Sequence, residues 1–194
     1  MMAQRKETVP SADTLNLVPN QQVILIAGPA GSGKTSLAKR VAEVQGWVHI
    51  SEDRVWDELK YPPHMGRSSD DKENKVQPRA LEHIKAALRQ GKSVVFEFIV
   101  YETPPQPILR YQTELRALGV PFVMKVLRPT VEQILDRKAA RGDEGSIDHQ
   151  RANAELQVNS LSSNFIDPSW VIDSTGLSLE DTYRRHFANL VEFD

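Results

Sequence analysis

The sequence predicts an α/β fold, one parallel sheet of five strands with helices packed on both of its faces. Three observations carry that prediction. Short apolar runs alternate with helical patterns along the whole chain, the arrangement that sandwiches a parallel sheet between helices. The strongest strand candidates are continuous apolar runs rich in β-branched residues, as strands covered on both faces are. Each segment between strands is long enough for a right-handed crossover.

Val23 to Ala27 (VILIA) is the first such strand. Ser36 to Gln45 carries apolar residues at helical spacing and stops at Gly46, a residue suited to a helix C-terminus. Trp47 to Ile50 is a short second strand. Ser51 has the chemistry of an N-cap, with Glu52 and Asp53 in the first turn of a helix running to about Lys60. Tyr61 to Lys75 (YPPHMGRSSDDKENK) is polar, proline-bearing and irregular, and reads as a long surface loop. Val76 to Gln90 resumes a helix that Gly91 ends, and Ser93 to Val100 (SVVFEFIV) is the third strand. A helix from about Pro105 to Leu118 leads through Gly119 into the fourth strand, Phe122 to Leu127. Thr130 to Arg141 is helical up to the interruption RGDEGS, and a further helix spans Asp148 to about Ser162. Trp170 to Asp173 is the fifth strand and Ser178 to Val191 the closing helix. No internal repeat divides the chain, which suits one domain over residues 21–194 behind a flexible polar tail over residues 1–20.

Bulk chemistry narrows the function classes. A formal charge of -2 gives no general attraction to polyanions, so long nucleic acid is disfavoured as a partner. The absence of cysteine rules out disulfides and thiolate metal sites. The five histidines (His49, His64, His83, His149, His186) show no ligand spacing and read as scattered surface or core residues. No apolar run approaches the roughly 20 residues that span a bilayer. The first twenty residues also lack the apolar middle of a secretory signal, and a cytoplasmic location is expected.

One motif carries chemistry. Gly28-Pro29-Ala30-Gly31-Ser32-Gly33-Lys34-Thr35 fits G-x-x-x-x-G-K-[ST] without a mismatch, between a buried strand and an amphipathic helix. Its glycines let successive N–H groups turn inward towards phosphate oxygens, and the helix that follows, opening at Ser36, adds partial positive charge. Lys34 is expected at the β- and γ-phosphates of ATP, and the Thr35 hydroxyl on Mg²⁺. The guanine signature N-K-x-D of common GTPases is absent, as is the apolar run ending in Asp-Glu of oligomeric ATPases.

Together with this loop, the acidic position after the second strand and the segments LRPTVEQILDRKAARG and VIDSTGLSLEDT resemble the small P-loop kinases. That group includes shikimate, gluconate and nucleoside-monophosphate kinases, chloramphenicol phosphotransferase-like proteins and polynucleotide 5′-hydroxyl kinase domains. The resemblance runs from about Val23 to Asp194 and implies a three-layer P-loop NTPase fold, strand order 2-3-1-4-5, with a helical lid. It implies that Asp53 is the general base that accepts the proton of an attacking hydroxyl. It makes Arg137 and Arg141, four apart before RGDEGS, lid arginines that close over the nucleotide, a solvated basic face paired with Glu132 or Asp136 being the other reading. It also lays the loop Ser174 to Leu177, with Thr175, against the adenine.

Two readings compete at several positions. Glu97 interrupts an otherwise apolar strand, so its carboxylate needs a partner or a cation. The resemblance offers the magnesium shell or the substrate, and a structural ion pair is the other reading. Arg54 suits either an anionic substrate or open solvent. Trp56 either stacks on an acceptor or belongs to the core. The function expected is a phosphotransferase that moves the γ-phosphate of ATP-Mg to a hydroxyl of a small molecule. A kinase of nucleotide or nucleic-acid 5′-hydroxyls, and a nucleotide-dependent regulatory protein with little turnover, are the alternatives. No sequence feature names the acceptor or the oligomeric state.

Overall fold

The computed structural model describes residues 15–60, 69–101 and 103–190. Strands β1 (Val23–Ala27), β2 (Val48–Ser51), β3 (Val94–Phe98), β4 (Phe122–Leu127) and β5 (Val171–Ile172) form one sheet. All pairings are parallel and the order is β2-β3-β1-β4-β5, the order the resemblance implies. Around it run α1 (Lys34–Gln45), α2 (Glu52–Glu58), α3 (Ser69–Asp71), α4 (Gln77–Arg89), α5 (Gln106–Ala117), α6 (Val131–Arg141), α7 (Ile147–Ser160) and α8 (Leu179–His186).

Because strand side chains alternate between faces, the apolar strands feed two cores. Val23, Leu25, Ala27, Val94, Phe96 and Phe98 face α2, α4 and α5. Ile24, Ile26 and Val95 face α1 and α8. The first core centres on Tyr111, whose ring meets Phe96 edge-on at 4.7 Å and Phe98 at 5.0 Å. Each such fully buried side chain contributes about 1.5–3 kcal/mol by leaving water. Trp56, 3% exposed, belongs to this core.

The fold departs from the sequence reading where long-range contacts act. Of the stretch expected to be a surface loop, residues 61–68 lie outside the described residues. Residues 69–76 are helical, a short α-turn running through a π-turn (Lys72–Val76) directly into α4. Lys72 and Val76 on that turn are buried, which a polar sequence could not announce. Trp170 sits in a 3₁₀ turn (Pro168–Trp170), leaving a fifth strand of two residues. The closing helix ends at His186, and Val191 lies outside the described residues. Within the stretch expected to be a tail, residues 1–14 lie outside the described residues, while Leu15 and Leu17 pack partly buried against the core.

The register brings the C-terminal strand ends into line. Ile26 and Ser51 both lie opposite Glu97, so β1, β2 and β3 deliver the phosphate loop, the start of α2 and a carboxylate to one edge of the sheet.

Candidate active site

The loop after β1 is held in shape by a close approach. A Cβ on Gly28 would stand 2.7 Å from the carbonyl oxygen of Leu127 at the end of β4, which only glycine avoids. Gly33, at φ +95°, opens α1 in the left-handed region. Lys34 follows and folds back over its own loop, its Nζ donating to the Pro29 carbonyl at 2.8 Å. Only 5% of the residue is exposed. Burial lowers the ammonium pKa from 10.5 to about 8, against the pull of the Glu97, Asp53 and Glu52 carboxylates. An ammonium this dry is a strong electrostatic partner for an anion that enters the loop.

Thr35, the next residue, turns its hydroxyl to Glu97, donating to Oε1 at 3.0 Å. Glu97 is 2% exposed. Burial raises its pKa, but the His49 imidazole, the Lys34 charge and the Ser51 and Thr35 hydroxyls outweigh it, so the carboxyl is held below its ordinary value. The Ser51 side chain does not cap α2 as its position suggested. His49 Nε2 stands 3.7 Å from Glu97 Oε1, beyond hydrogen-bond range, and is a buried nitrogen without a hydrogen-bond partner.

An ionised carboxylate beside a threonine hydroxyl is an oxygen donor set of the kind magnesium takes, one or two protein ligands completed by phosphates and water. Among the described residues no three His, Cys, Asp or Glu side chains gather into a metal cage. The residues present therefore fit the cation.

Asp53 is exposed in the first turn of α2, near enough for its charge to act on Lys34. Its neighbour Glu52 points the other way and is 3% exposed. One Glu52 oxygen accepts from the Tyr111 hydroxyl at 3.1 Å, and the other pairs with Lys72 at 3.3 Å. Arg54 is exposed and lines a separate pocket of about 330 Å³ beside edge strand β2, with His49, Glu58 and His83.

On the opposite side, α6 packs over the loop, its Ile134 Cγ2 3.2 Å from where a Gly31 Cβ would be. Arg137 projects from that helix and donates to the Ser32 carbonyl at 2.8 Å and to the Ser174 carbonyl at 3.4 Å. Burial lowers the pKa of its guanidinium. A pocket of about 370 Å³ opens here between the loop, α6 and the β5–α8 connection. Ser32, Gly33, Ser36, Arg137, Arg141 and Ser174 are among its lining residues, and the buried Oγ atoms of Ser32 and Ser174 have no hydrogen-bond partner.

Arg141 lies at this pocket with its guanidinium in a bidentate pair with Asp143, at 3.0 and 2.5 Å, so its charge is turned to its own chain. The Thr175 hydroxyl accepts from the Thr130 amide at 2.9 Å, which fixes the turn. The Ala30 amide donates to Gln157 on α7 at 2.7 Å.

The structure thus brings Lys34, Thr35, Glu97 and Asp53 together on one side of the loop and Arg137 on the other. Sequence reading missed Lys72 and Gln157, and gave Ser51 and Glu52 only as the start of a helix. Ser51 and His49 are two apart on β2, hence on one face, but only the β2–β3 register tells which residue they meet. Lys72 and Gln157 carried no local signal at all.

A family model of the AAA domain, AAA_33, matches residues 23–165. No curated protein matches the chain. Among solved structures, the tunicamycin resistance protein of Deinococcus radiodurans is 22% identical, with a TM-score of 0.65, over 84% of this chain and 92% of that one. A gluconokinase from Sinorhizobium meliloti 1021 is 18% identical, TM-score 0.56, over 84% and 87% of the two chains. Shikimate kinase from Acinetobacter baumannii, solved with shikimate, is 16% identical, TM-score 0.56, over 84% and 89%. At such identities these likenesses concern the fold, which is that of the small P-loop kinases.

Proposed function

The chain belongs to the AAA domain family AAA_33, and from that premise we propose that it is an ATP-dependent phosphotransferase acting on a hydroxyl of a small molecule. The observation that carries the reading is the grouping around Lys34. A buried cation in the loop, a Thr35–Glu97 oxygen pair and an exposed aspartate meet at one sheet edge. A protein that only binds nucleotide has no need of the last.

Phosphoryl transfer asks for positioning and charge more than for covalent chemistry. Loop amides and Lys34 hold the β- and γ-phosphates. Thr35 and Glu97 would hold magnesium, which when bound neutralises charge on the phosphate oxygens. Asp53 takes the proton from the acceptor hydroxyl as its oxygen approaches phosphorus in line with the leaving ADP oxygen. Arg137, spanning Ser32 and Ser174 across the loop, offers its guanidinium to the charge of the moving phosphoryl group. The pocket under Ser174 and Leu177 is of a size to take the base and ribose.

The test is ADP release from ATP-Mg against a panel of hydroxyl-bearing acceptors, with Lys34→Ala as the blank. One acceptor class should raise release above the acceptor-free rate. Asp53→Asn should then cut turnover at least a hundredfold, in line with about 10²–10⁴ for a general base, while ATP affinity stays within about twofold. Wild-type turnover in Asp53→Asn would remove the residue from the role of base. Tight nucleotide binding with no acceptor effect would instead favour a nucleotide-dependent switch.

A further inference from the structure

The buried cluster behind α2 is unused by the chemistry above. Glu52 and Lys72 are 3% and 6% exposed, a charged pair carried into the interior from segments twenty residues apart. Taking such a pair out of water is costly, and it is retained only with good geometry and satisfied hydrogen bonds. Both conditions hold. The Glu52 carboxylate has Lys72 on one oxygen and the Tyr111 hydroxyl on the other. The Lys72 ammonium also donates to the Ile99 carbonyl at 2.6 Å, just past β3, and lies 5.5 Å from the centre of the Tyr101 ring. Four parts of the fold, α2, the π-turn, the end of β3 and α5, converge on these two side chains.

The location gives the pair its meaning. Glu52 is the first residue of α2 and Asp53 the second, so a carboxylate pinned inward fixes the direction in which its neighbour faces the loop. Lys72 sits at the start of a π-turn, a rare break in helical hydrogen bonding that is enriched at functional sites. Apolar side chains of similar size would fill the space without the cost of desolvation.

We propose that Lys72 is a positioning residue for catalysis. Through its ion pair with Glu52 it holds the first turn of α2, and with it Asp53, in register with the phosphate loop. The inference rests on the reading of Asp53 as base.

A double-mutant cycle tests it, read as kcat for ADP release with the acceptor that the panel identifies, or with water as acceptor where the panel identifies none. Lys72→Met should lower kcat tenfold or more while KM for ATP stays within twofold. Lys72→Arg, which keeps the cation, should recover most of the loss. In the Asp53→Asn background Lys72→Met should have little further effect, because the group it orients is gone. Losses that multiply in the double variant, or a Lys72→Met enzyme with wild-type kcat, would overturn the inference. So would Lys72→Arg as poor as Lys72→Met in a protein that melts like wild type. If Asp53→Asn alone keeps wild-type kcat, it is the reading of the base that fails. Should Lys72→Met not fold, the paired Glu52→Gln/Lys72→Met protein, with no unpaired buried charge, carries the same measurement.

Discussion

At the scale of single residues, the loop lysine trades stability for binding. Unfolded, Lys34 keeps its proton to 10.5; folded and dry, only to about 8. Between those values the folded protein binds fewer protons than the unfolded chain, so stability rises with pH across the window. Below about 8 the buried charge is a standing cost. At about 1.4 kcal/mol per pH unit it is on the order of 3 kcal/mol. Lys34→Met removes that cost together with the bond to the Pro29 carbonyl, worth about 1 kcal/mol. Denaturant unfolding at pH 7 without nucleotide should therefore find the variant more stable by roughly 2 kcal/mol. The difference from wild type should shrink as pH climbs from about 8 towards 10.5, while ATP binding is lost. A Lys34→Met protein less stable than wild type at pH 7 would mean that the ammonium is better solvated than its burial suggests. The identity of Lys34 was legible because eight consecutive positions spell the loop. Its burial and its carboxylate neighbours were not, since Glu97 is more than sixty residues away along the chain.

At the scale of elements, α6 separates two arginines that the sequence treated alike. Both lie on one helix face before RGDEGS, and the family resemblance gave each the same claim to the nucleotide. The fold divides them by what surrounds each. Arg137 is half-buried against the loop and bonded to carbonyls of Ser32 and Ser174, whereas Arg141 is exposed and occupied by Asp143. A hydrogen bond from a charged donor contributes about 1.5–3 kcal/mol, and an exposed ion pair about 0–1 kcal/mol. Arg137→Ala should accordingly lower kcat/KM for ATP by one to two orders of magnitude, and Arg141→Ala by less than about threefold. Steady-state kinetics on the two variants decides it, and equal losses would mean that Arg141 leaves Asp143 for the nucleotide during turnover. Other elements show the same division between local and distant causes. The boundaries of β1 and β4 follow from apolar runs and were legible. The π-turn was not, because YPPHMGRSSDDKENK reads polar, and the Glu52 carboxylate and Ile99 carbonyl that draw Lys72 inward are reached only through the fold.

At the scale of the whole molecule, the phosphate loop is a junction of distant parts. It is tied to β3 through Thr35 and Glu97, to α6 and the β5–α8 connection through Arg137, and to α7 through the Ala30 amide and Gln157. The parallel sheet was legible from the pattern of elements and its strand order from the family resemblance alone, but these ties are tertiary and leave no periodic trace in the sequence. Their consequence is that a ligand in the loop touches the parts of the fold that hold the two cores together. A ligand that binds only the folded state stabilises it by mass action, about 2.7 kcal/mol at one hundred times its Kd. For a chain of this length each kcal/mol moves the melting temperature by about 2–4 °C. Saturating ATP-Mg should thus raise Tm by about 5–10 °C in one cooperative transition. Lys34→Ala should abolish the rise. A similar rise in that variant would place the nucleotide away from the loop. A nucleotide-induced rise confined to one of two separate transitions would show that the junction does not carry ligand stabilisation to both cores.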